Sequence, residues 1–228
     1  MKIIDNLQFE FNECKNIHFI RVEIEDLNET ILNIIESLND LSWINKFDDE
    51  YTKACFLARA IPTAKVLSKQ LTENCSDQIT QETGEYVVSE ISRKSIIEKL
   101  NYLSIPIAEL LGRKKKGNPG FDFFTVNDTN IIIFGEAKYV ASQNAYGRGL
   151  CQIAEFINQK KDIADLKLIE DFCNKDSLNN VINGKKGFAV GFSAKHETTE
   201  ALINNIKRNR DFLKLLQYEE IIIVAVNI

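Results

Sequence analysis

The amino-acid sequence predicts a mixed α/β fold, in which a central sheet is flanked by helices. Two late apolar runs, GFAVGFS at 187–193 and EIIIVAV at 220–226, are typical of strands that are buried on both faces. Two further apolar runs, at 121–126 and 131–140, are separated by NDTN, which has the composition of a turn. Helical periodicity occurs before and between these runs. This mixture of elements favours a mixed sheet with helices on its faces.

Residues 1–80 are predicted to form an N-terminal strand-and-helix extension that packs on the rest of the chain. IHFIRVEI at 17–24 is rich in branched residues and is predicted to be a strand. A helix is predicted over 29–47, because apolar residues recur there at spacings of three and four. A second helical stretch begins near residue 50. We expect Pro62 to interrupt it, because proline lacks an amide donor and disfavours the preceding helical turn.

Residues 81–228 are predicted to form the core of the protein. The predicted order is helix, three strands, helix, strand, helix and strand, at 82–100, 105–111, 121–126, 131–140, 150–163, 187–193, 198–216 and 220–226. GRKKKGNPG at 112–120 is rich in glycine and lysine and is predicted to be a loop.

Composition limits the class of protein. The chain has 228 residues, of which 44% are apolar and 27% are charged, as in a soluble protein of one domain, with or without an appended subdomain. No apolar run approaches the roughly 20 residues that span a bilayer, so we expect no membrane segment. The five cysteines include no CxxC pair, which argues against a zinc ribbon or disulfide framework and favours reduced thiols in a cytoplasmic protein.

The net charge of -5 argues against binding to nucleic acid through bulk charge alone. Any such role needs a local basic patch, a metal ion or a partner protein. The one dense basic run consists of Arg113, Lys114, Lys115 and Lys116. These side chains are candidates for contact with a phosphate backbone, and the alternative is a solvated basic turn.

The strand at 131–140, IIIFGEAKYV, carries two opposite charges near its end. Residues two apart in a strand point to the same face, so Glu136 and Lys138 project together. If the turn before this strand is a three-residue loop, counting along the hairpin brings Asp122 opposite Glu136. Opposed side chains lie about 5 Å apart at their β-carbons. The hairpin is therefore predicted to gather two carboxylates and one ammonium in a small patch.

Two adjacent carboxylates repel each other unless a positive charge lies between them. Lys138 neutralises one of them, whereas a divalent cation with oxygen ligands neutralises both. Magnesium is commonly held by one or two carboxylates, water and a phosphate oxygen. A lysine beside it orients or helps to deprotonate the attacking water and stabilises negative charge on phosphorus. The pattern favours metal-assisted hydrolysis of a phosphodiester.

Asp122, followed after thirteen residues by Glu136-Ala137-Lys138, resembles the PD-(D/E)XK nuclease superfamily over residues 82–228. The resemblance implies a restriction-endonuclease-like core, with the aspartate on its second strand and the E-x-K motif on its third. It implies a nuclease that uses Mg2+, with Mn2+ as a substitute, and that binds metal through Asp122, Glu136 and the carbonyl of Ala137. Pro119 departs from the family pattern, because it lies three residues before Asp122 instead of beside it.

Two further residues match weaker features of the superfamily. Many members carry a metal-facing glutamate on the first core helix, where this chain has Glu85, with Glu82 and Glu90 as competitors. Several members carry a glutamine on the helix after the third strand, and Gln152 has that place. The resemblance therefore adds Glu85 as a metal ligand and Gln152 as a catalytic residue.

A helix start with GE, a lysine-rich turn, GFD and GEAK followed by an aromatic residue is more narrowly similar to the HamA-type nuclease subunit of the Hachiman antiphage system. This resemblance implies DNA as the substrate and a helicase as the partner. The chain has no GxxxxGK[ST] motif, so an ATP-driven step would belong to another protein. Restriction is the other setting that the superfamily implies, and residues 1–80 are a candidate interface for a partner or a homodimer.

Two other functions remain open at this point. The first is a nuclease fold that binds DNA or docks a protein without catalysis, although the complete Asp, Glu and Lys set argues against it. The second is a hydrolase of small phosphate esters, because a fold and a motif do not fix the substrate.

Overall fold

The computed structural model describes residues 1–12, 14–73, 80–112, 119–195 and 197–228. Within these ranges the strands form one seven-stranded mixed sheet, which confirms the predicted fold class. The strands are β1 (Lys2–Phe11), β2 (Cys14–Glu23), β3 (Leu103–Ser104), β4 (Phe123–Val126), β5 (Ile132–Lys138), β6 (Gly187–Ala194) and β7 (Glu220–Asn227). The helices are α1 (Leu27–Asn39), α2 (Glu50–Glu73), α3 (Gln81–Leu100), α4 (Ala108–Leu111), α5 (Tyr146–Asn158), α6 (Lys161–Ile169), α7 (Lys175–Ile182), α8 (Thr199–Lys207) and α9 (Arg210–Leu215).

The sheet has the order β1-β2-β7-β6-β5-β4-β3. Its four central strands, β2, β7, β6 and β5, are parallel, and the outer strands pair antiparallel. The carboxyl ends of the central strands therefore meet at one edge of the sheet, which we call the carboxyl edge. It is formed by the ends of β2, β5, β6 and β7 at Glu23, Lys138, Ala194 and Asn227.

Helices α3 and α5 cover opposite faces of the sheet at β6. A β-carbon added to Gly191 would lie 2.1 Å from Ser92 Oγ of α3, so that helix packs directly on the strand. The neighbouring residue Val190 points the other way, and its Cγ2 would lie 2.6 Å from a β-carbon added to Gly149 of α5. Because both faces are covered, β6 and β7 are buried along nearly their whole length, which explains their continuous apolar sequences.

The predicted register of the β4–β5 hairpin is confirmed. Val126 pairs with Ile132 and Phe123 with Gly135, and the N–H of Asn127 donates to the carbonyl of Ile131 at 3.0 Å. The ladder ends at Phe123, however, so Asp122 does not pair opposite Glu136 as expected. Its N–H donates to Gly135 O at 2.8 Å, so two residues of one strand oppose one of the other, as in a β-bulge.

Gly135 is the residue that allows this end of the hairpin to close. A β-carbon at Gly135 would lie 2.2 Å from the ring of Phe123, so the ring covers the glycine directly. A glycine inside an apolar strand commonly marks such a close approach. The glycine that precedes Glu136 in β5 is therefore explained by packing against Phe123.

The prediction that Pro62 interrupts the second helix is wrong, because α2 continues through it to Glu73. The buried residues of α2 recur every three or four positions, so one continuous stripe holds the helix on the protein: Phe56, Ala60, Ala64, Leu67 and Leu71. Pro62 lies outside this stripe and is exposed. The hydrogen bond that proline removes is therefore lost where water replaces it.

The predicted strand at 105–111 is wrong, because the strand of this region is β3 at Leu103–Ser104 and Ala108–Leu111 form α4. Other boundaries also differ from the sequence predictions. Residues 2–11 were not predicted to be a strand, yet they form β1, the outer strand beside β2. The predicted helix over 29–47 is α1 followed by a short 3-10 turn, Ser42–Lys46. The predicted helix over 198–216 is divided into α8 and α9, since Asn209 caps α9 by accepting from Asp211 N and Phe212 N. β1 and β2 continue the core sheet beyond β7, and the boundary at residue 80 stays a prediction.

A buried ion pair fastens α3 to its neighbours. Arg93 donates to both carboxylate oxygens of Glu90 at 2.7 Å and also bonds Ser104 Oγ and the carbonyl of Ile105 at 3.1 Å. Ser37 of α1 donates to the same carboxylate at 2.9 Å. Burial opposes the charged form of Glu90, but Arg93, together with Lys94 and Ser37, outweighs burial, so the pKa of that carboxyl is lowered. The pair joins α1, α3 and β3.

We predict that Arg93→Met lowers the free energy of unfolding by about 3–5 kcal/mol, because it leaves the Glu90 carboxylate buried without its main partner. The double variant Glu90→Leu/Arg93→Met should be less destabilised than Arg93→Met alone, since it buries no unpaired charge. The folded-state pKa of Glu90 is lowered, so the ionised carboxylate stabilises the fold at pH values above the ordinary carboxyl pKa. This stabilisation is lost as the pH falls through the pKa that Glu90 has in the folded protein.

Urea unfolding at pH 7 and at about pH 3 tests both statements. The difference in the free energy of unfolding between the wild type and Arg93→Met should be smaller at the acidic pH than at pH 7. A double variant that is as unstable as Arg93→Met at pH 7 would show that the buried charge is not the cause.

Candidate active site

The candidate site lies at the carboxyl end of β5. Glu136 and Lys138 project from the same face, and Lys138 Nζ lies 2.8 Å from Glu136 Oε1. The Glu136 side chain is 1% exposed and that of Lys138 is 14% exposed. The carboxyl end of β5 therefore carries a nearly buried ion pair, of which the lysine is the more exposed member.

Asp122 contacts the backbone of Ala137, the residue between Glu136 and Lys138. The Asp122 carboxylate accepts a hydrogen bond from Ala137 N–H, at 2.8 Å from Oδ2. Asp122 therefore contacts β5 through its backbone N–H and its side chain, although it is not paired within the ladder. The structure thus brings together the three residues of the D…ExK pattern, by a different contact from the direct pairing that the sequence predicted.

A third carboxylate comes from α3. Glu85 Oε2 lies 3.8 Å from Lys138 Nζ, and the Glu85 side chain is 31% exposed. Its helix approaches closely because residue 84 is glycine: a β-carbon there would lie 2.3 Å from the ring of Tyr139. Of the two competitors, Glu82 is exposed and Glu90 is bound to Arg93. The geometry therefore associates Glu85 with the site.

The pKa of Lys138 reports how these groups act together. Burial lowers the pKa of this ammonium, but Glu136, Asp122 and Glu85 outweigh burial and raise it above its ordinary value. The ammonium form is therefore favoured throughout neutral pH, and it is lost only as pH rises beyond the ordinary lysine range. Lys138 is consequently a fixed positive charge at this site and not a free base.

Gln152 and Ala137 lie close to this cluster in different ways. Ala137 is fully buried in β5, where the Asp122 carboxylate fixes its N–H. Gln152 is half-buried on α5, one turn after Gly149, whose added β-carbon would lie 3.6 Å from Lys138 Cγ. Residues three apart share a helix face, so Gln152 faces the same side of the sheet. Its side chain makes no hydrogen bond to any residue that the structure describes.

The predicted nucleic-acid contacts Arg113, Lys114, Lys115 and Lys116 lie outside the described residues. The described chain ends at Gly112 on one side of this run and resumes at Pro119 on the other. Their role stays a prediction from the sequence.

One residue that supports the site was not found from the sequence. Asp165 of α6 accepts from the N–H of Phe121 at 2.9 Å, so it holds the backbone immediately before Asp122. Gly120 makes room for it, because a β-carbon there would lie 2.7 Å from the Asp165 carboxylate oxygens. The glycine in NPGFD was the available indication of a close approach, but Asp165 lies 44 residues after Phe121 in the chain.

The donor atoms of this site are of the type that magnesium prefers. Across the described ranges, no group of three or more His, Cys, Asp and Glu side chains is placed to hold a metal ion. A magnesium ion here would depend on the Asp122 and Glu136 carboxylates, the Ala137 carbonyl and water. Magnesium is commonly bound by one or two carboxylates with several waters, so this oxygen set fits it.

We predict that Glu136→Gln lowers the pKa of Lys138, because it removes the nearest of the three carboxylates while burial persists. NMR titration of the Lys138 side chain measures this. Glu82→Gln is the matched control, since Glu82 is exposed on the first turn of the same helix as Glu85. An unchanged Lys138 pKa in Glu136→Gln would contradict the electrostatic coupling.

In the part of the chain that the structure describes, no helix is long and apolar enough to cross a membrane. Comparison of the chain with protein-family models, with curated proteins and with solved structures finds no match.

Proposed function

We propose that this protein is a metal-dependent nuclease that hydrolyses phosphodiester bonds in DNA. The observation that carries the proposal is the placement of Glu136, Asp122 and Glu85 around the ammonium of Lys138 at the end of one strand. A structural ion pair needs one carboxylate for one ammonium. Here three carboxylates raise the pKa of a single lysine, so negative charge is in excess.

An excess of carboxylates supports the binding of a divalent cation. Like charges at close range disfavour ionisation unless a cation lies between them. Mg2+, or Mn2+ in its place, supplies that charge, and the carboxylates of Asp122 and Glu136 with the Ala137 carbonyl would hold it. Glu85 approaches from α3 and would bind the ion directly or through water.

Each residue then has a distinct part in the chemistry. The bound metal would polarise the phosphoryl group and activate a water molecule. Lys138, which is an ammonium at neutral pH, orients that water and stabilises negative charge that develops on phosphorus. Asp122 also fixes the peptide of Ala137, and Gln152 faces the same side of the sheet from α5.

The biological setting belongs to the same proposal. We infer a cytoplasmic nuclease of antiphage defence that acts with a helicase partner, as the resemblance to the Hachiman subunit implies, or of restriction. A homodimer through residues 1–80 is the alternative assembly. The chain has no GxxxxGK[ST] motif of its own, which supports a separate protein as the source of any ATP-driven step.

A second candidate function is a nuclease fold that binds DNA or a protein without cutting. One observation favours it: the cluster already makes internal contacts, since Lys138 contacts Glu136 at 2.8 Å and Ala137 N–H contacts Asp122 at 2.8 Å. A site that satisfies itself in this way can persist without a metal. DNA binding that survives chelation, with no cleavage product, would support this candidate.

We predict that the purified protein cuts plasmid or linear DNA with Mg2+ or Mn2+, alone or with its helicase partner, and that a chelator stops the reaction. Glu136→Gln and Lys138→Met should each lower the cleavage rate by about 10²–10³-fold, the range for losing one preorganised electrostatic group. Gel electrophoresis of single- and double-stranded substrates provides the measurement.

Glu82→Gln is the matched control, because it removes a carboxylate from the same helix but away from Lys138. Its cleavage rate should equal that of the wild type. Cleavage by Glu136→Gln at the wild-type rate, or no cleavage of any DNA form with either metal and with the partner present, would overturn the proposed activity.

A further inference from the structure

Glu85 reaches the candidate active site from the opposite face of the sheet. Glu136 pairs with Val190 of β6, whose side chain points to α5. Lys138, two residues after Glu136, projects from that same face. Helix α3, which carries Glu85, covers the other face of β6. The contact of 3.8 Å between Glu85 Oε2 and Lys138 Nζ therefore joins the two faces around the carboxyl edge.

Tyr139 is the residue on which α3 packs at this edge. It directly follows Lys138 in the chain and is 8% exposed. A β-carbon added to Gly84 would lie 2.3 Å from Tyr139 Cγ, 2.4 Å from Cδ1 and 2.8 Å from Cδ2. The base of the ring therefore lies directly on the backbone of Gly84, the residue before Glu85. A single ring thus separates the end of β5 from the first turn of α3.

The first turn of α3 is held together by its own hydrogen bonds. Thr80 caps the helix through its side chain, and its carbonyl accepts from Gly84 N at 2.9 Å. Gln81 Nε2 donates to Glu85 Oε1 at 3.3 Å, whereas the other oxygen of Glu85, Oε2, faces Lys138. Because the turn is hydrogen-bonded in this way, its packing on the neighbouring ring sets where the Glu85 backbone lies.

The ring of Tyr139, and not its hydroxyl, makes the contact with α3. The three atoms nearest to the β-carbon position of Gly84 are all ring carbons. The hydroxyl makes no hydrogen bond to any residue that the structure describes. The contact therefore depends on the shape of the side chain, which phenylalanine shares and leucine does not.

The position of Glu85 matters because a metal ion restricts the geometry of its ligands. Magnesium holds oxygen ligands at about 2.0–2.1 Å in a nearly octahedral arrangement. Asp122 and Glu136 lie on one hairpin, where the Asp122 carboxylate is bonded to the N–H of Ala137. Of the three carboxylates, Glu85 is the one that comes from a helix. Its distance from the other two therefore depends on how α3 packs at Tyr139.

We propose that Tyr139 is a positioning residue of the metal site, whose ring, packed on Gly84, sets the distance between the Glu85 carboxylate and the cation. This inference rests on the proposed metal-dependent function. Tyr139 acts through Glu85 and touches neither the cation nor the substrate. Replacing a group that orients a metal ligand typically changes the metal affinity by about 10–100-fold.

The affinity for Mn2+, measured by electron paramagnetic resonance of the free ion, tests this role without any nucleic acid. Tyr139→Leu removes the ring and should lower the affinity by about 10–100-fold. Tyr139→Phe keeps the ring and should bind Mn2+ as the wild type does. Gly84→Ala places a methyl group against the ring and should also weaken binding, because it pushes the first turn of α3 away from β5.

A double-mutant cycle separates positioning from a general effect on the fold. Glu85→Gln alone should lower the Mn2+ affinity. Adding Tyr139→Leu to Glu85→Gln should cause little further loss, because the ring acts through that carboxylate. Thermal melting checks the folding of each variant, and if Tyr139→Leu does not fold, Gly84→Ala takes its place in the cycle.

Tyr218→Leu is the matched control. It removes a partly buried tyrosine ring that packs on Phe188, with ring centroids 4.8 Å apart. Tyr218 precedes β7, at the edge of the sheet opposite the carboxyl edge. This variant should keep the wild-type Mn2+ affinity even where it lowers the melting temperature.

The outcomes separate the role of Tyr139 from the metal site itself. If Glu136→Gln loses Mn2+ but Tyr139→Leu binds it as tightly as the wild type, the positioning role is wrong and the metal site stands. The positioning role is also wrong if Tyr139→Leu weakens binding equally with and without Glu85→Gln, or if Tyr139→Phe is as weak as Tyr139→Leu. If the wild type binds no Mn2+, the metal site fails, and the positioning role with it.

Discussion

The hydrogen bond from Ala137 N–H to the Asp122 carboxylate is the contact on which the candidate site depends. It joins Asp122, the residue before β4, to the N–H of Ala137, which lies between Glu136 and Lys138. The same carboxylate is one of the three that raise the pKa of Lys138. The short hairpin, with its three-residue turn, makes this contact possible because it sets how far the two strands run together.

Close backbone approach and charge are combined at this end of the sheet. Gly135 lets the Phe123 ring cover β5, and Gly84 lets the first turn of α3 pack against Tyr139. The result is three carboxylates around Lys138, which stays an ammonium because their attraction outweighs burial. In the core, by comparison, the Glu90 carboxylate contacts two cations, Arg93 at 2.7 Å and Lys94 at 3.6 Å, so negative charge is not in excess there.

Local patterns predicted much of this arrangement, and long-range contacts account for what they missed. The turn sequence NDTN and the apolar runs beside it were enough to give the hairpin register, and continuous apolar runs identified β6 and β7. The bulge at Asp122 departs from the regular pairing on which the register count relies, and the support of Phe121 by Asp165 depends on a residue distant in the chain. Pro62 failed as a helix breaker because tertiary packing of the buried α2 stripe outweighed its local preference.

We propose that the carboxylates at the end of β5 bind a divalent cation. Electron paramagnetic resonance of free Mn2+, titrated with the purified protein, measures this binding without any nucleic acid. We expect saturable Mn2+ binding by the wild type, loss of that binding in Glu136→Gln, and wild-type binding in Glu82→Gln. Equal Mn2+ binding by the wild type and Glu136→Gln, or no binding by the wild type, would contradict it.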